Sequence, residues 1–271
     1  MSEKAILFDA TKCMACRGCQ IACKQWNDLK AVVTANLGTY ENPPDLSART
    51  WVTIRFKEKA EGDSIRWLFS RRSCMHCTQA ACVEVCPSGA LFYNQYGFVA
   101  YDKDKCIGCG YCGQFCPFNV PRLDAEPISG VGKMDKCTLC TTSGLDRLSI
   151  GQEPACVKTC PTGALVYGDR DEVVAEGKRR VAHLKTPHSE PYPRATLYGE
   201  TELGGLHVLY VLADSPEVYG LPKEPKFPVT ATVHEDFSRP FTWILWSVVA
   251  AGLALNVLVA RARQIRRKEH E

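Results

Sequence analysis

Sixteen cysteines in four groups of four are the residues of this chain that could do chemistry. The first and third groups have the spacing C-x2-C-x2-C-x3-C, the second has C-x2-C-x4-C-x3-C, and the fourth has C-x2-C-x15-C-x3-C. Proline follows the last three groups, at Pro87, Pro117 and Pro161, whereas Lys24 follows the first. Such spacings are typical of the thiolate ligands of [4Fe–4S] clusters. The sequence therefore predicts four clusters. Because sixteen thiolates match sixteen irons, it also predicts electron transfer rather than catalysis.

Two other uses of cysteine are less consistent with this pattern. A disulfide scaffold is usual in short secreted chains, and it gives no reason for proline after successive groups. Zinc is held by pairs of C-x2-C cysteines, so the third cysteine of a C-x2-C-x2-C run is one ligand too many. A formal net charge of +3 in 271 residues gives no electrostatic case for nucleic acid as a partner.

Short apolar segments flank the cysteine groups and predict how the groups pair. Segments 5–8 and 98–101 precede the first and third groups, and each leads into Asp-x-x-Lys-Cys. Gly-Ala-Leu segments at 89–93 and 163–167 follow the second and fourth groups. The turn signal at 94–97, Asn-Gln-Tyr-Gly, joins the second group's strand to the third group's strand as a hairpin. The strand before the first group is then left to pair with the strand after the fourth.

This nesting predicts which cysteines share a cluster. In two-cluster ferredoxins, the fourth cysteine of one run binds the cluster of the other run. Groups one and four form one such pair here, and groups two and three form the other. Four ligand sets result: set a is Cys13, Cys16, Cys19 and Cys160; set b is Cys23, Cys137, Cys140 and Cys156; set c is Cys74, Cys77, Cys82 and Cys116; set d is Cys86, Cys106, Cys109 and Cys112.

The predicted fold class is α+β, with two nested ferredoxin-like halves and a C-terminal transmembrane helix. The expected parts are a cluster domain at 1–235, a single transmembrane helix at 236–262 and a basic cytoplasmic tail at 263–271. Within the cluster domain we expect half A at about 1–37 plus 130–170, half B at about 71–127, a hairpin insertion at 38–70 and a C-terminal wrap at 171–235. The expected elements include hairpin strands at 50–56 and 64–69, a helix at 171–184, a buried strand at 206–212 and irregular chain at 215–228.

Residues 241–260 carry no charge and are long enough for a helix to cross a bilayer and contact lipid. Cations follow directly, which makes a buried core helix the weaker alternative; they are Arg261, Arg263, Arg266, Arg267 and Lys268. Because the flank at 234–240 holds only Arg239, the C-terminus is predicted in the cytoplasm and the cluster domain on the outer face of the cytoplasmic membrane. The first residues lack the apolar stretch of a signal peptide.

Several motifs resemble those of one family, the iron–sulfur β subunits of membrane-bound formate dehydrogenases, within the molybdopterin-oxidoreductase electron-transfer subunits. The similar segments are CMACRGCQIACKQWND at 13–28, NPPDLSARTW at 42–51, CMHC at 74–77, CIGCGYCGQFCPFNVPRL at 106–123, KCTLC at 136–140, GQEPACVKTCPTGA at 151–164 and GGLHVLYVL at 204–212. The resemblance implies a catalytic subunit with a molybdenum or tungsten pterin that oxidises formate, and a cytochrome b-type membrane subunit that passes the electrons to quinone. The equivalent subunit of a membrane-bound hydrogenase or another molybdopterin oxidoreductase is the alternative.

Histidines and one asparagine lead to further expectations. No histidine lies in 241–260, so this segment offers no axial ligand to a haem, which predicts a separate membrane subunit. His76, between two cysteines, could tune a cluster by hydrogen bonding, but we expect a surface or partner contact. His207 adjoins an apolar segment, and we expect a packed histidine with a hydrogen-bonded ring. Asn256 could hydrogen-bond a partner helix or its own helix backbone.

Overall fold

The computed structural model describes residues 2–124, 132–142, 144, 146–186, 192–229 and 239–268. The parts of the predicted halves, wrap, transmembrane helix and tail that fall between these ranges or after 268 lie outside the described residues. The chain divides into two compact units, Met1–Phe227 and Pro228–Glu271. The first unit contains all sixteen cysteines.

Helices and strands are mixed along the first unit, as the α+β prediction requires. In chain order they are β1 Lys4–Asp9, α1 Gly18–Trp26, β2 Thr53–Glu61, β3 Ser64–Arg72, α2 Ala81–Glu84, β4 Leu91–Tyr93, β5 Val99–Tyr101, α3 Tyr111–Gln114, β6 Arg122–Leu123, β7 Met134–Asp135, α4 Ala155–Lys158, β8 Leu165–Asp169, α5 Arg170–Leu184, β9 Thr196–Tyr198 and β10 Val208–Leu212. Short 3-10 helices occupy Glu202–Gly204 and Pro216–Tyr219. The second unit contains α6, Arg239–Lys268.

A four-stranded sheet in the order β8-β1-β10-β9 forms the centre of the first unit. β1 runs antiparallel to β8, with Leu7 opposite Val166. The predicted pairing of the strand before the first cysteine group with the strand after the fourth is therefore confirmed. β1 and β10 are parallel, with Ile6 opposite Val208, and β10 is antiparallel to β9. The strand expected at 206–212 is β10.

Both faces of the central strands are covered, which explains why residues 5–8 of β1 and all of β10 are consecutive apolar residues rather than alternating ones. On one face, Leu7 and Leu209 belong to a cluster with Val173 of α5. On the other face, Phe8 and Tyr210 belong to the larger core, which also contains cysteines of groups one, two and four. The sheet therefore lies between a helix and the cysteine loops.

The two expected hairpins form, and one is longer than predicted. β4 and β5 pair around the turn at 94–97. β2 and β3 pair along their full lengths, although the sequence indicated strands only at 50–56 and 64–69. Gly62 has a φ of 61°, a conformation that glycine adopts without strain, and this lets the pairing continue up to the turn.

A two-stranded ribbon of β6 and β7 was not predicted. Each strand has two residues, too few to show an alternating pattern, and they pair Arg122 with Asp135. The carboxylate of Asp135 accepts a hydrogen bond from the Tyr101 hydroxyl at 2.6 Å and contacts Lys103 Nζ at 2.7 Å. The ribbon therefore joins the end of group three to the start of group four by contacts distant in sequence.

In the second unit, α6 is longer than the helix predicted at 236–262. Its extension to Lys268 agrees with the good helix propensity of Arg, Gln and Lys, and with the favourable interaction of cations with a helix C-terminus. The stretch Ile244–Arg261 has a mean hydropathy of 1.9 and none of it is buried. Of the helices in the described ranges, α6 is the one long and apolar enough to span a membrane.

Candidate iron–sulfur cluster sites

The first C-x2-C pair of each group contains the same backbone turn. The residue before the second cysteine has a left-handed backbone in all four groups, with φ of 54°, 49°, 73° and 51° at Ala15, His76, Gly108 and Leu139. This conformation is unfavourable for residues other than glycine. In two groups the turn directs a backbone N–H at the first cysteine, 3.4 Å from Cys13 Sγ and 3.4 Å from Cys137 Sγ. N–H donors of this kind stabilise a thiolate.

A helix begins one residue before the third cysteine of every group. The third cysteines are Cys19 in α1, Cys82 in α2, Cys112 in α3 and Cys156 in α4. The last three helices have four residues each and end before the fourth cysteine, so the proline that follows lies outside the helix. α1 continues to Trp26, which places Lys24 within the helix. Proline would interrupt α1 there, and this explains why the first group departs from the pattern.

The structure brings cysteines of groups one and four together. Burial raises the pKa of the Cys13 thiol, and the thiolate of Cys160 adds to this rise. Burial also raises the pKa of Cys23 well above its ordinary value, and the thiolates that add to it belong to Cys137, Cys156 and Cys140. The fourth cysteine of each group therefore lies beside cysteines of the other group.

Groups two and three are interleaved in the same way. Burial raises the pKa of Cys82 well above its ordinary value, and the thiolate of Cys116 adds to this. Burial raises the pKa of Cys112 to about 12, and the thiolates of Cys109, Cys106 and Cys86 add to it. Four cysteines also line one cavity with apolar walls that include Leu91 and Met134; they are Cys86, Cys106, Cys109 and Cys112.

Thiols of different predicted sets are close enough at three places to affect each other's pKa. Burial raises the pKa of Cys19, Cys74 and Cys82, and one thiol of another set adds to each rise: Cys156 for Cys19, Cys137 for Cys74 and Cys112 for Cys82. In the predicted sets, these neighbours link a to b, b to c and c to d. Two thiols are exposed, Cys16 in set a and Cys109 in set d, whereas all four thiols of set b are buried.

The donor atoms fit iron–sulfur clusters. All sixteen cysteines are free of disulfide bonds. Crowding and burial disfavour thiolates, which is why the pKa of Cys19 and of Cys140 rises to about 12. A bound cation reverses this effect, because a coordinating thiol is deprotonated. In the described ranges, no three His, Cys, Asp or Glu side chains converge on a position for a single metal ion. Each set offers four thiols, which is the ligand demand of a [4Fe–4S] cluster.

Hydroxyl groups beside two fourth cysteines were missed by the sequence analysis. Ser88 Oγ lies 3.7 Å from Cys86 Sγ, and Thr162 Oγ1 lies 3.8 Å from Cys160 Sγ. Each hydroxyl residue stands two positions after its cysteine, in a Cys-Pro-Ser or Cys-Pro-Thr sequence. That local pattern could have predicted them as hydrogen-bonding neighbours of the sulfur atoms.

Two buried cations beside the central sets have no local signal in the sequence. Arg71 in β3 is 1% exposed, and its Nη2 lies 3.8 Å from Cys156 Sγ. Lys136 is also 1% exposed, and its Nζ donates a hydrogen bond of 3.1 Å to the Cys137 carbonyl. The charge of Lys136 opposes the burial that raises the pKa of Cys74. Sets b and c therefore each have a positive charge nearby.

The two singled-out histidines are both packed inside the protein. The expectation of a surface or partner contact for His76 is wrong, because its side chain is fully buried against Phe98 with ring centroids 5.6 Å apart. Burial, together with the charge of Lys136, lowers the pKa of His76 well below its ordinary value. The expectation for His207 is confirmed: it is buried, and its Nδ1 lies 2.7 Å from the Lys4 carbonyl oxygen.

The fold and the cysteine loops define an iron–sulfur protein of the ferredoxin type, and comparisons with known proteins agree. Residues 12–90 and residues 65–170 each match a 4Fe-4S dicluster domain family. The chain is 45% identical, over 93% of its length, to the formate dehydrogenase iron-sulfur subunit of Haemophilus influenzae, of which it covers 78%. It is 42% identical, over 95% of its length, to the nitrate-inducible formate dehydrogenase iron-sulfur subunit of Escherichia coli, of which it covers 85%.

The chain belongs to the family of formate dehydrogenase iron–sulfur subunits, which transfer electrons and do not carry the catalytic centre. A more distant relative is the hydrogenase-2 operon protein HybA of Escherichia coli O157:H7. Identity to HybA is 36% over 80% of this chain, which covers 72% of that protein. The formate dehydrogenase prediction is therefore favoured over the hydrogenase alternative.

Proposed function

We propose that the chain holds four [4Fe–4S] clusters, one in each of sets a to d, and conducts electrons along them in the order a, b, c, d or its reverse. When bound, the clusters supply sites that accept and release electrons. The observation that carries the proposal is the line of neighbouring thiols between sets, at Cys19–Cys156, Cys137–Cys74 and Cys82–Cys112. Exposed Cys16 and Cys109 mark the two ends where a donor and an acceptor protein gain access.

Two nested ferredoxin-like halves belong to the same proposal. Half A comprises about 1–37 plus 130–170, half B comprises about 71–127, and the remaining parts of the cluster domain are the insertion at 38–70 and the wrap at 171–235. Support comes from the pairing of β1 with β8, which closes half A, and of β4 with β5, which closes half B. The four-cluster domain ends at 235, before the transmembrane helix.

Electrons enter from a formate-oxidising catalytic subunit with a molybdenum or tungsten pterin. They leave to a cytochrome b-type membrane subunit that reduces quinone. Support comes from the resemblance at 42–51 and 204–212, beside that in the cysteine motifs, and from relatives that are formate dehydrogenase iron-sulfur subunits. The chain itself is non-catalytic, because sixteen thiolates on sixteen irons leave no open iron for a substrate.

Helix α6 anchors the chain in the cytoplasmic membrane as a single transmembrane segment, with the cluster domain on the outer face and the basic tail in the cytoplasm. Its length, its hydropathy of 1.9 and its unburied surface support contact with lipid through residues 241–260. No histidine lies in that segment, so a haem must be held by the separate membrane subunit.

Iron analysis and spectroscopy of single cysteine variants test the proposal. The purified complex should contain about sixteen irons in this chain, one for each thiolate. Cys16→Ser and Cys160→Ser should alter the same paramagnetic resonance signal of the reduced protein. Cys23→Ser should alter the signal that Cys137→Ser changes. If Cys23→Ser and Cys16→Ser instead altered the same signal, each motif would ligate its own cluster, and the proposed sets would be wrong.

A further inference from the structure

Arg71 is a buried cation at the junction of two ligand sets. Its side chain is the largest among the fully buried residues. Its Nη2 lies 3.8 Å from Cys156 Sγ, its Nη1 donates to the Ser73 hydroxyl, and its Nε has no acceptor. A guanidinium in this environment is strongly unfavourable unless a negative charge compensates it.

The other two arginines of β3 each form an ion pair with a carboxylate. Arg66 contacts Glu61 at 2.8 Å, and Arg72 contacts Asp45. Among the described residues, no carboxylate lies within ion-pair distance of Arg71. The compensating charge for Arg71 must therefore come from another source.

Cysteine sulfur bound to a cluster is that source, because a coordinating thiol is deprotonated. Arg71 Nη2 lies 3.8 Å from Sγ of Cys156, a cysteine of set b. The charge of Arg71 also opposes the burial that raises the pKa of Cys19, a cysteine of set a. Arg71 thus lies between the first two positions of the proposed series, closest to set b.

We propose that Arg71 raises the reduction potential of the cluster in set b and, more weakly, that of the cluster in set a. This inference rests on the proposed function, because it requires clusters in those sets. Reduction adds one negative charge to a cluster, and a fixed positive charge in a medium of low dielectric constant stabilises the reduced form more than the oxidised form. Arginine keeps its charge at every physiological pH, so its effect is permanent.

A positive charge at this point has a consequence for electron flow. All four thiols of set b are buried, and b has neighbouring sets on both sides in the proposed series. A raised potential at b makes the step from a to b more favourable and the return of the electron to set a less favourable. Arg71 is therefore a positioning residue: its charge acts on the neighbouring clusters, and it makes no contact with a substrate.

Redox titration of the complete complex, followed by paramagnetic resonance, tests the proposal. Arg71→Met removes the charge and keeps an apolar stem of similar length, whereas Arg71→Lys keeps the charge. We expect Arg71→Met to change the ratio of reduced to oxidised b cluster at least tenfold at a given applied potential, a fall of 59 mV for one electron. Arg71→Lys should change this ratio less than threefold. Arg66→Gln, on the exposed part of the same strand, should leave the ratio unchanged. The b signal is identified as the one that Cys156→Ser alters.

Iron content separates the possible outcomes. Wild type with far fewer than sixteen irons would contradict the proposed function itself, whereas full iron in Arg71→Met without a tenfold change would overturn only the role of Arg71. Equal shifts in Arg71→Met and Arg71→Lys would also overturn it, because charge would not be the cause. If Arg71→Met loses iron, Arg71→Gln is titrated in its place, and the same tenfold change in the ratio of reduced to oxidised b cluster is expected. Loss of iron in both would assign Arg71 to cluster assembly and refute the proposal.

Discussion

Lys24 illustrates at the scale of one residue how a motif adapts to its helix. It occupies the position of the proline that follows the other three groups, but it lies inside α1. Its Nζ donates hydrogen bonds to the carbonyls of Lys30 at 2.8 Å and Arg49 at 2.7 Å. Lysine therefore continues the helix past Cys23, and its ammonium group links two loops to the helix. Proline could do neither.

Replacing Lys24 by proline tests this explanation. Lys24→Pro should destabilise the protein by about 3 kcal/mol, because it removes a helical hydrogen bond and clashes with the preceding turn. Lys24→Ala is the control: it keeps the helix, loses only the two bonds of the ammonium group, and should cost about 1 kcal/mol. Anaerobic thermal unfolding of the cluster-loaded protein measures both. Equal losses in the two variants would show that helix continuity is not the reason for lysine here.

Asp214 is a second residue whose role the structure defines. Its carboxylate is 5% exposed, contacts Lys59, and lies 2.8 Å from Arg194 Nη2. Burial by itself raises the pKa of Asp214, but the hydrogen bonds from Lys59 and from the Ser215 N–H, with the charges of Lys59 and Arg194, lower it overall. This carboxylate fastens the chain after β10 to the β2–β3 hairpin.

The pH dependence of Asp214→Asn follows from that lowered pKa. A carboxylate with a lowered folded-state pKa contributes its full stability above the unfolded value of about 3.9, and loses it as the pH falls through the folded value. Asp214→Asn should therefore cost about 2 kcal/mol, with the same difference from wild type between about pH 6 and pH 8. Glu61→Gln, which removes a partly exposed partner of Lys59 and Arg66, should cost less than about 1 kcal/mol. If thermal unfolding showed that the stability difference between Asp214→Asn and wild type varies across this pH range, the lowered pKa of Asp214 would be contradicted.

At the scale of elements, the turn of the β4–β5 hairpin fixes half B to the central sheet. The backbone N–H of Lys4 donates to the Tyr96 carbonyl at 3.0 Å. Asn94 Nδ2 donates to Thr141 Oγ1 at 3.1 Å. Gly97 packs against the ring of His207, which is buried. The position of the β4–β5 hairpin relative to the central sheet therefore depends on this docked turn.

Gly97→Ala should weaken the docking of the two halves. Gly97 has a φ of 83°, and a Cβ there would lie 2.5 Å from His207 Cε1. Backbone strain and overpacking together should cost about 3 kcal/mol. Gly62→Ala is a matched control, since Gly62 also has a positive φ of 61° but no atom within 4 Å of the added Cβ, and it should cost about 1 kcal/mol. Chemical unfolding under anaerobic conditions measures both, and similar costs would show that the contact with His207 is unimportant.

At the scale of the whole molecule, the cations that flank residues 241–260 predict the orientation of the proposed transmembrane helix. Five cations follow residues 241–260, and one precedes them at 234–240. We expect a protease added to sealed right-side-out spheroplasts to cut the cluster domain and to spare a tag fused after residue 271. A variant with glutamine at Arg261, Arg263, Arg266, Arg267 and Lys268 should lose this preference. Digestion of the tag in wild type would mean that the orientation is inverted.

The sequence predicted much of the fold where the signals are local. The turn at 94–97 and the apolar segments beside each group were sufficient for the pairing of β4 with β5 and of β1 with β8. The ribbon of β6 and β7 and the full length of the β2–β3 hairpin were not predictable, because two-residue strands have no period and strand ends depend on the turn between them. The burial of His76 was not predicted, because the left-handed turn that orients its side chain cannot be recognised from the residue type.

Cysteine spacing by itself determined the class of cofactor and the candidate ligands, because runs of closely spaced cysteines are typical of [4Fe–4S] ligation. The tertiary structure alone decided which thiols of different groups are neighbours and where Arg71 lies against Cys156. These depend on contacts between β3, α4 and the central sheet, which are far apart in sequence. Burial then gives the charge of Arg71 its strength, since the same guanidinium in water would be screened.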